Sequence, residues 1–252
     1  MGKRILVFIY GVVSYAIFFA SFLYAIGFIG NFAVPRRIDG VPQLPLWQAL
    51  AIDAGLLALF AVQHSVMARP AFKRWLTRFI PTSAERSTYV LASSLALIAI
   101  FIHWQPLGGV IWNAQSDIAR ATLYGLYAFG WLLVLATTFL INHFDLFGLR
   151  QVWLQLLGKP YTPLKFVVPG PYRVVRHPLY VGWLCVFWAT PVMTATHLFF
   201  AVGTTLYILT AIRFEERDLV AAHPEYDAYR RAVPMLVPRV GAPKLPKVVA
   251  AK

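Results

Sequence analysis

The chain has 252 residues, 59% of them hydrophobic and 13% charged, with a formal charge of +13. The charged share is about half that of an ordinary soluble domain, and the long apolar runs make this a polytopic membrane protein. The basic excess lies in short loops and a tail, with no stripe on a soluble face, which argues against nucleic acid. The single cysteine, Cys185, sits in an apolar run and excludes a disulfide framework or cysteine zinc site within one chain.

The first predicted span is Ile5–Gly30. Its basic start resembles a signal peptide, but the apolar stretch is far longer than a signal h-region and no clean small-x-small site follows, so it is expected to be retained. Leu6 rules out the myristoylation pattern that Gly2 suggests. The second span is Trp47–Ala68. The stretch RPAFKRWLTRFIP, Arg69–Pro81, then alternates cations with Phe72, Trp75, Leu76 and Phe79, and is expected to lie along the interface with its aromatics down. The third and fourth spans are Ser87–Trp104 and Ile118–Ile141. A short amphipathic helix around Leu149–Leu157 leads into a loop rich in proline and glycine.

The last apolar block, Leu179–Ile212, is too long for one span. TPVMTATH, Thr190–His197, breaks it into a helical hairpin whose first arm is short and is ended by Pro191. The expected fold is therefore an all-α polytopic membrane bundle of about six segments, the last two a hairpin, with its candidate site facing the cytoplasm. Residues 1–142 form the N-terminal transmembrane helices with an interfacial loop at 69–86. Residues 143–240 form a catalytic region with the hairpin at 178–218, and 241–252 a loose tail. Twenty of the 23 lysines and arginines fall on one side of this topology, leaving only Arg36, Arg37 and Arg120 on the other. The basic side, with both termini, is then expected to be cytoplasmic.

Polar groups at membrane depth are expensive and point to function. At the cytoplasmic ends of the spans lie Gln63, His64 and Ser65; Asn142, His143 and Asp145; Arg176 and His177; and Glu215 and Glu216. His177-Pro178 sets proline in the first turn of a helix, where its missing N–H costs nothing. The remaining amides, with Arg176 beside them, form an anion site for a carboxylate or phosphate. LTAIRFEERDLV puts Ile212, Glu215, Glu216 and Leu219 on one stripe, so at least one glutamate faces apolar packing, unless both pair with Arg213 and Arg217 on a solvated face. Tyr226 and Tyr229 then stand at i, i+3, either as aromatic faces for a cation or as interfacial anchors. The six histidines form no close i, i+4 ligand pair, and His103 and His197 fall at the opposite face, so no metal is expected.

The series GPYRVVRHPLYVG, a hydrophobic hairpin, EERDL and HPEYDAYRRAVPMLVP resembles the C-terminal half of the isoprenylcysteine carboxyl methyltransferase superfamily of membrane methyltransferases. QHSVMARPAFKRWLTRFIPTSAERSTYVLASS and NHFDLFGLRQVWL extend the resemblance, which is nearest to the bacterial membrane-bound methanethiol S-methyltransferases and related proteins linked to nitric oxide metabolism. The resemblance covers most of Gln63–Pro238. It implies S-adenosylmethionine in a pocket between the hairpin and the C-terminal helix, with Tyr172, Arg176, His177, Tyr180 and Gly182 in the first motif and Glu215 and Glu216 in the second. It also implies a small thiol substrate, methanethiol, converted to dimethyl sulfide, with membrane lipid as the surrounding partner. A thiol is a poor nucleophile until deprotonated, and His64 or His143, the latter with Asp145 as an orienting partner, are the candidate bases. Two other readings share the pattern: a methyltransferase acting on a lipid or isoprenylated cysteine, and an NADPH-dependent membrane reductase or nitric-oxide-linked membrane protein.

Overall fold

The structure is a computed structural model and describes residues 1–239. The predicted tail at 241–252 lies outside the described residues. The elements in chain order are α1 (Gly2–Gly30), α2 (Leu46–Ala68), α3 (Pro70–Leu76), α4 (Glu85–His103), β1 (Val110–Asn113), α5 (Asp117–Ile141), α6 (His143–Leu146), α7 (Leu149–Leu157), α8 (Pro178–Trp188), β2 (Val192–Thr194), α9 (Ala195–Ala222) and α10 (Glu225–Ala232). Among the described residues five helical stretches are long and apolar enough to cross a membrane, and α8 is a shorter apolar helix. The protein is an all-α, multi-pass membrane bundle.

The chain folds as two compact units. The first comprises Met1–Ala114, His143–Thr162 and Val192–Gly203. Here α1 packs on α4 and α7, and α2 packs on α4. Asn31 ends α1 in the left-handed conformation (φ 60°), with its amide on the Gly27 carbonyl. Asparagine tolerates that conformation. Asp53, wholly buried in α2, accepts the Gln105 amide at 2.9 Å and so fixes the turn after α4. One feature that hydropathy did not predict is the antiparallel pair of β1 and β2, with Val110 opposite Thr194 and Asn113 opposite Val192. The Thr194 hydroxyl donates to Asp39, which also bonds Asn31.

Among the described residues the second unit comprises Gln115–Asn142, Pro163–Pro191 and residues 204–239. Ser116 caps α5 by accepting the Ala119 amide at 3.2 Å. α5 lies against α8, and the two helices meet at paired glycines. A Cβ on Gly182 would stand 2.9 Å from the Gly130 carbonyl oxygen and 3.0 Å from the Val134 nitrogen. This close approach requires small residues, as in other helix contacts within membranes. A second core, of Val168, Tyr226, Tyr229 and Val233, packs against Phe166, Tyr172 and Leu219.

Candidate active site

In the second unit the chain enters α8 through Arg176 and His177, and both side chains reach one carboxylate on α9. The Arg176 Nε donates to Glu216 Oε1 at 2.7 Å, and His177 Nε2 meets the same oxygen at 2.9 Å. A carboxylate only accepts, so His177 carries its proton on Nε2. All three groups are largely buried, which confines the charge of Glu216 to this contact. One residue earlier on α9, Glu215 Oε2 accepts the Tyr180 hydroxyl at 2.8 Å. Neither glutamate pairs with Arg213 or Arg217.

Arg176 also donates to the carbonyls of Arg230 and Val233, which lie at the end of α10. Its backbone amide bonds the Pro234 carbonyl at 2.8 Å, and that of His177 bonds Met235 at 3.2 Å. The two amides just before α8 are therefore occupied by the chain itself. The amide of Leu179, inside the first turn of α8, makes no such bond among the described residues.

Tyr226 and Tyr229 are neither surface anchors nor open faces for a ligand. Both are buried, and Tyr229 donates to the Tyr172 carbonyl at 2.6 Å while Tyr226 reaches Glu216 Oε1 at 3.5 Å. Burial, followed by the Glu215 charge, raises the Tyr172 phenol well above its ordinary value. Burial, then Glu216 and Glu215, does the same for Tyr226. These phenols stay protonated and act only as neutral neighbours or donors. Gly182 is placed by its helix contact with Gly130, as described above.

The other predicted site residues lie in the first unit. His64 is held by the Tyr89 hydroxyl on Nε2 (2.6 Å) and Ser93 on Nδ1 (3.1 Å), with Phe60 stacked on its ring. His143 begins α6, is buried, and bonds the Tyr15 hydroxyl through Nε2 at 2.8 Å amid Phe144 and Phe147. Burial lowers its pKa and keeps the ring neutral. Asp145 bonds Arg150 at 2.7 Å and Tyr161 at 3.2 Å. Arg150 continues to the carbonyl and hydroxyl of Thr162, so Asp145 anchors the segment that follows α7. Among the described residues no cluster of His, Cys, Asp and Glu could hold a metal.

A family model described as phospholipid methyltransferase matches residues 120–223. The methanethiol S-methyltransferase of Crocosphaera subtropica is 57% identical over 240 residues, covering 95% of this chain and 94% of that protein. The chain belongs to the methanethiol S-methyltransferase family of membrane methyltransferases. The family member from Mycobacterium tuberculosis is 53% identical over 94% of this chain and 97% of its own. Nurim from Sus scrofa is also similar, at 34% identity over 68% of each chain. No solved structure matches. In this methyltransferase the matched segment holds α5, α8 and both glutamates, while the carbonyls that Arg176 grips lie beyond it.

Sequence reasoning missed a cleft of about 360 Å³ in the second unit, lined by Arg213, Glu216, Arg217, Val220 and Arg230. The i, i+4 spacing of Arg213 and Arg217 at the end of a span was the available signal. In the sequence these arginines enter only as the alternative partners of the glutamates on a solvated face.

Proposed function

We propose that the protein methylates a small thiol, methanethiol, to dimethyl sulfide with S-adenosylmethionine as donor, and that α8 and α9 of the second unit hold the donor. The observation that carries this reading is the pair of adjacent glutamates. Each gives one oxygen to the protein, and among the described residues the second oxygen of each accepts no hydrogen bond. Two such acceptors suit the hydroxyls and ammonium of S-adenosylmethionine, and the Leu179 amide at a helix start suits its carboxylate. Held there, S-adenosylmethionine would supply a methyl group from its sulfonium to the thiol sulfur, leaving as the neutral thioether, with the thiol proton passing to a base of the chain.

The chain's own tasks are to orient and to remove that proton. Arg176 and His177 fix Glu216, and Tyr180 fixes Glu215, so the acceptors are set in place before the donor arrives. Arg176 serves in this reading as the support of the acceptor rather than as the carboxylate ligand. His64 and His143 are proposed as thiol bases from the sequence pattern. The identity and coverage shared with methanethiol S-methyltransferases support the acceptor. The phospholipid in the family model's description favours a second reading, with a lipid as acceptor. By the distribution of basic residues, both termini face the cytoplasm of a bacterial inner membrane.

The test is titration of the purified protein with S-adenosylmethionine by calorimetry, followed by detection of dimethyl sulfide above a reaction with methanethiol. Absence of binding refutes methyl transfer here. Binding without dimethyl sulfide moves the acceptor to a lipid. His64→Gln and His143→Gln should lower kcat and alter its pH profile while leaving donor affinity unchanged; two unaffected variants would remove both bases.

A further inference from the structure

One face of α9 changes character along its length. Leu206 and Leu209 are exposed to 61% and 37%, and Phe214, at the flank of the same face, to 45%. At helical spacing the same stripe continues through Arg213, Arg217 and Val220. There it becomes one wall of the 360 Å³ cleft, which Arg230 closes from α10. An apolar strip that runs into a basic cleft has the polarity of a phospholipid lying along a span.

The charges in the cleft do not cancel. Glu216 is already engaged by Arg176 and His177. Arg230 pairs with Asp227 at 2.9 Å, and Asp227 is shared with Arg231. Among the described residues neither Arg213 nor Arg217 has an acidic partner. Like charges one turn apart on a helix repel, and the one carboxylate in the lining, Glu216, is held by Arg176 and His177 rather than by these two arginines, so the cleft keeps an excess of positive charge. Guanidinium groups match phosphate oxygens in pairs, and a basic pocket beside a span suits an acidic head group.

We propose that this cleft holds the phosphate of an anionic phospholipid whose acyl chains lie along Leu206 and Leu209. This lipid is a resident ligand and not the methyl acceptor. Its site does not depend on which thiol the protein methylates.

Native mass spectrometry of the protein titrated with phosphatidylglycerol or phosphatidylcholine tests this. The wild type should bind phosphatidylglycerol more tightly by tenfold or more. Arg213→Gln/Arg217→Gln should weaken phosphatidylglycerol about 30-fold, or about 1 kcal/mol for each arginine, and leave phosphatidylcholine unchanged. Arg231→Gln, outside the cleft, should behave as wild type. Equal binding of the two lipids by the wild type, which needs no variant, overturns the proposal. So does displacement of phosphatidylglycerol by inorganic phosphate at equal concentration, which would mark a site for soluble anions. A double variant that loses S-adenosylmethionine and keeps phosphatidylglycerol would assign the cleft to the cofactor and also refute it.

Discussion

Replacing Glu216 by glutamine isolates the charge at the centre of the α8–α9 contact. The amide keeps the shape of the side chain and one acceptor oxygen for Arg176 and His177. It removes the negative charge that faces a guanidinium with a side-chain exposure of only 11%. Hydrogen bonds to charged groups contribute about 1.5–3 kcal/mol, and screening is weak at this burial. Glu216→Gln should therefore cost about 2–3 kcal/mol, whereas Glu216→Ala, which leaves the buried Arg176 charge without its carboxylate and only backbone carbonyls to hold, should cost about 3–5 kcal/mol. On the scale for soluble domains of this size, a loss of about 2–3 kcal/mol lowers the unfolding midpoint by roughly 4–12 °C. Tryptophan fluorescence of detergent-purified protein during heating measures it. A double-mutant cycle with Arg176→Met separates this contact from the carbonyls that Arg176 also holds, because those bonds cancel in the coupling term. The expected coupling is about 1–3 kcal/mol. A Glu216→Gln midpoint equal to wild type, or additive losses in the cycle, would show that the ion pair does not hold α8 to α9.

Three further outcomes follow from the geometry. The folded pKa of His143 is depressed, so protons favour the unfolded chain. Its contribution to stability is intact above about pH 6.5, the unfolded value, and is lost as pH falls through the folded value. His143→Gln should flatten that part of the midpoint-against-pH curve, and an unchanged slope would contradict the burial argument. Gly182→Val should push apart the α5–α8 crossing, at a cost of about 1–3 kcal/mol typical of overpacking, read as a lower midpoint; wild-type stability would mean the helices do not touch there. Tyr180→Phe removes the bond that fixes Glu215 through Oε2 and should weaken S-adenosylmethionine several-fold in calorimetry with little change in midpoint; unchanged affinity would remove Glu215 from the donor site.

Hydropathy located every membrane helix because the cost of placing polar backbone and side chains in lipid is written along the chain itself. α2 and α5 were each located to within one residue, and α7 runs from Leu149 to Leu157 as expected. Pro191 correctly signalled the break after α8, although the helix stops earlier, at Trp188. Partner choice was less legible. Glu216 has arginines at i−3 and i+1 but bonds one 40 residues away, and no periodicity encodes that preference. Gly182 drew notice through its motif, while its packing against Gly130 depends on a crossing that only the folded helices define. The β1–β2 pair joins segments about 80 residues apart, each too short to announce itself as a strand.

The grip of Arg176 and His177 on the carbonyls of Arg230, Val233, Pro234 and Met235 also sets an order of events during synthesis. α8 and α9 are made before the last of these acceptors exists. Until Met235 has been translated, the hairpin mouth lacks part of its backbone bonding, and before Arg230 the Arg176 side chain has only Glu216 to hold. A nascent chain stopped at residue 229 would contain all the matched family segment and both glutamates, yet lack every carbonyl that completes this seam. Completion of this seam is thus coupled to synthesis of the segment from Arg230 to Met235, well after both helices that it joins.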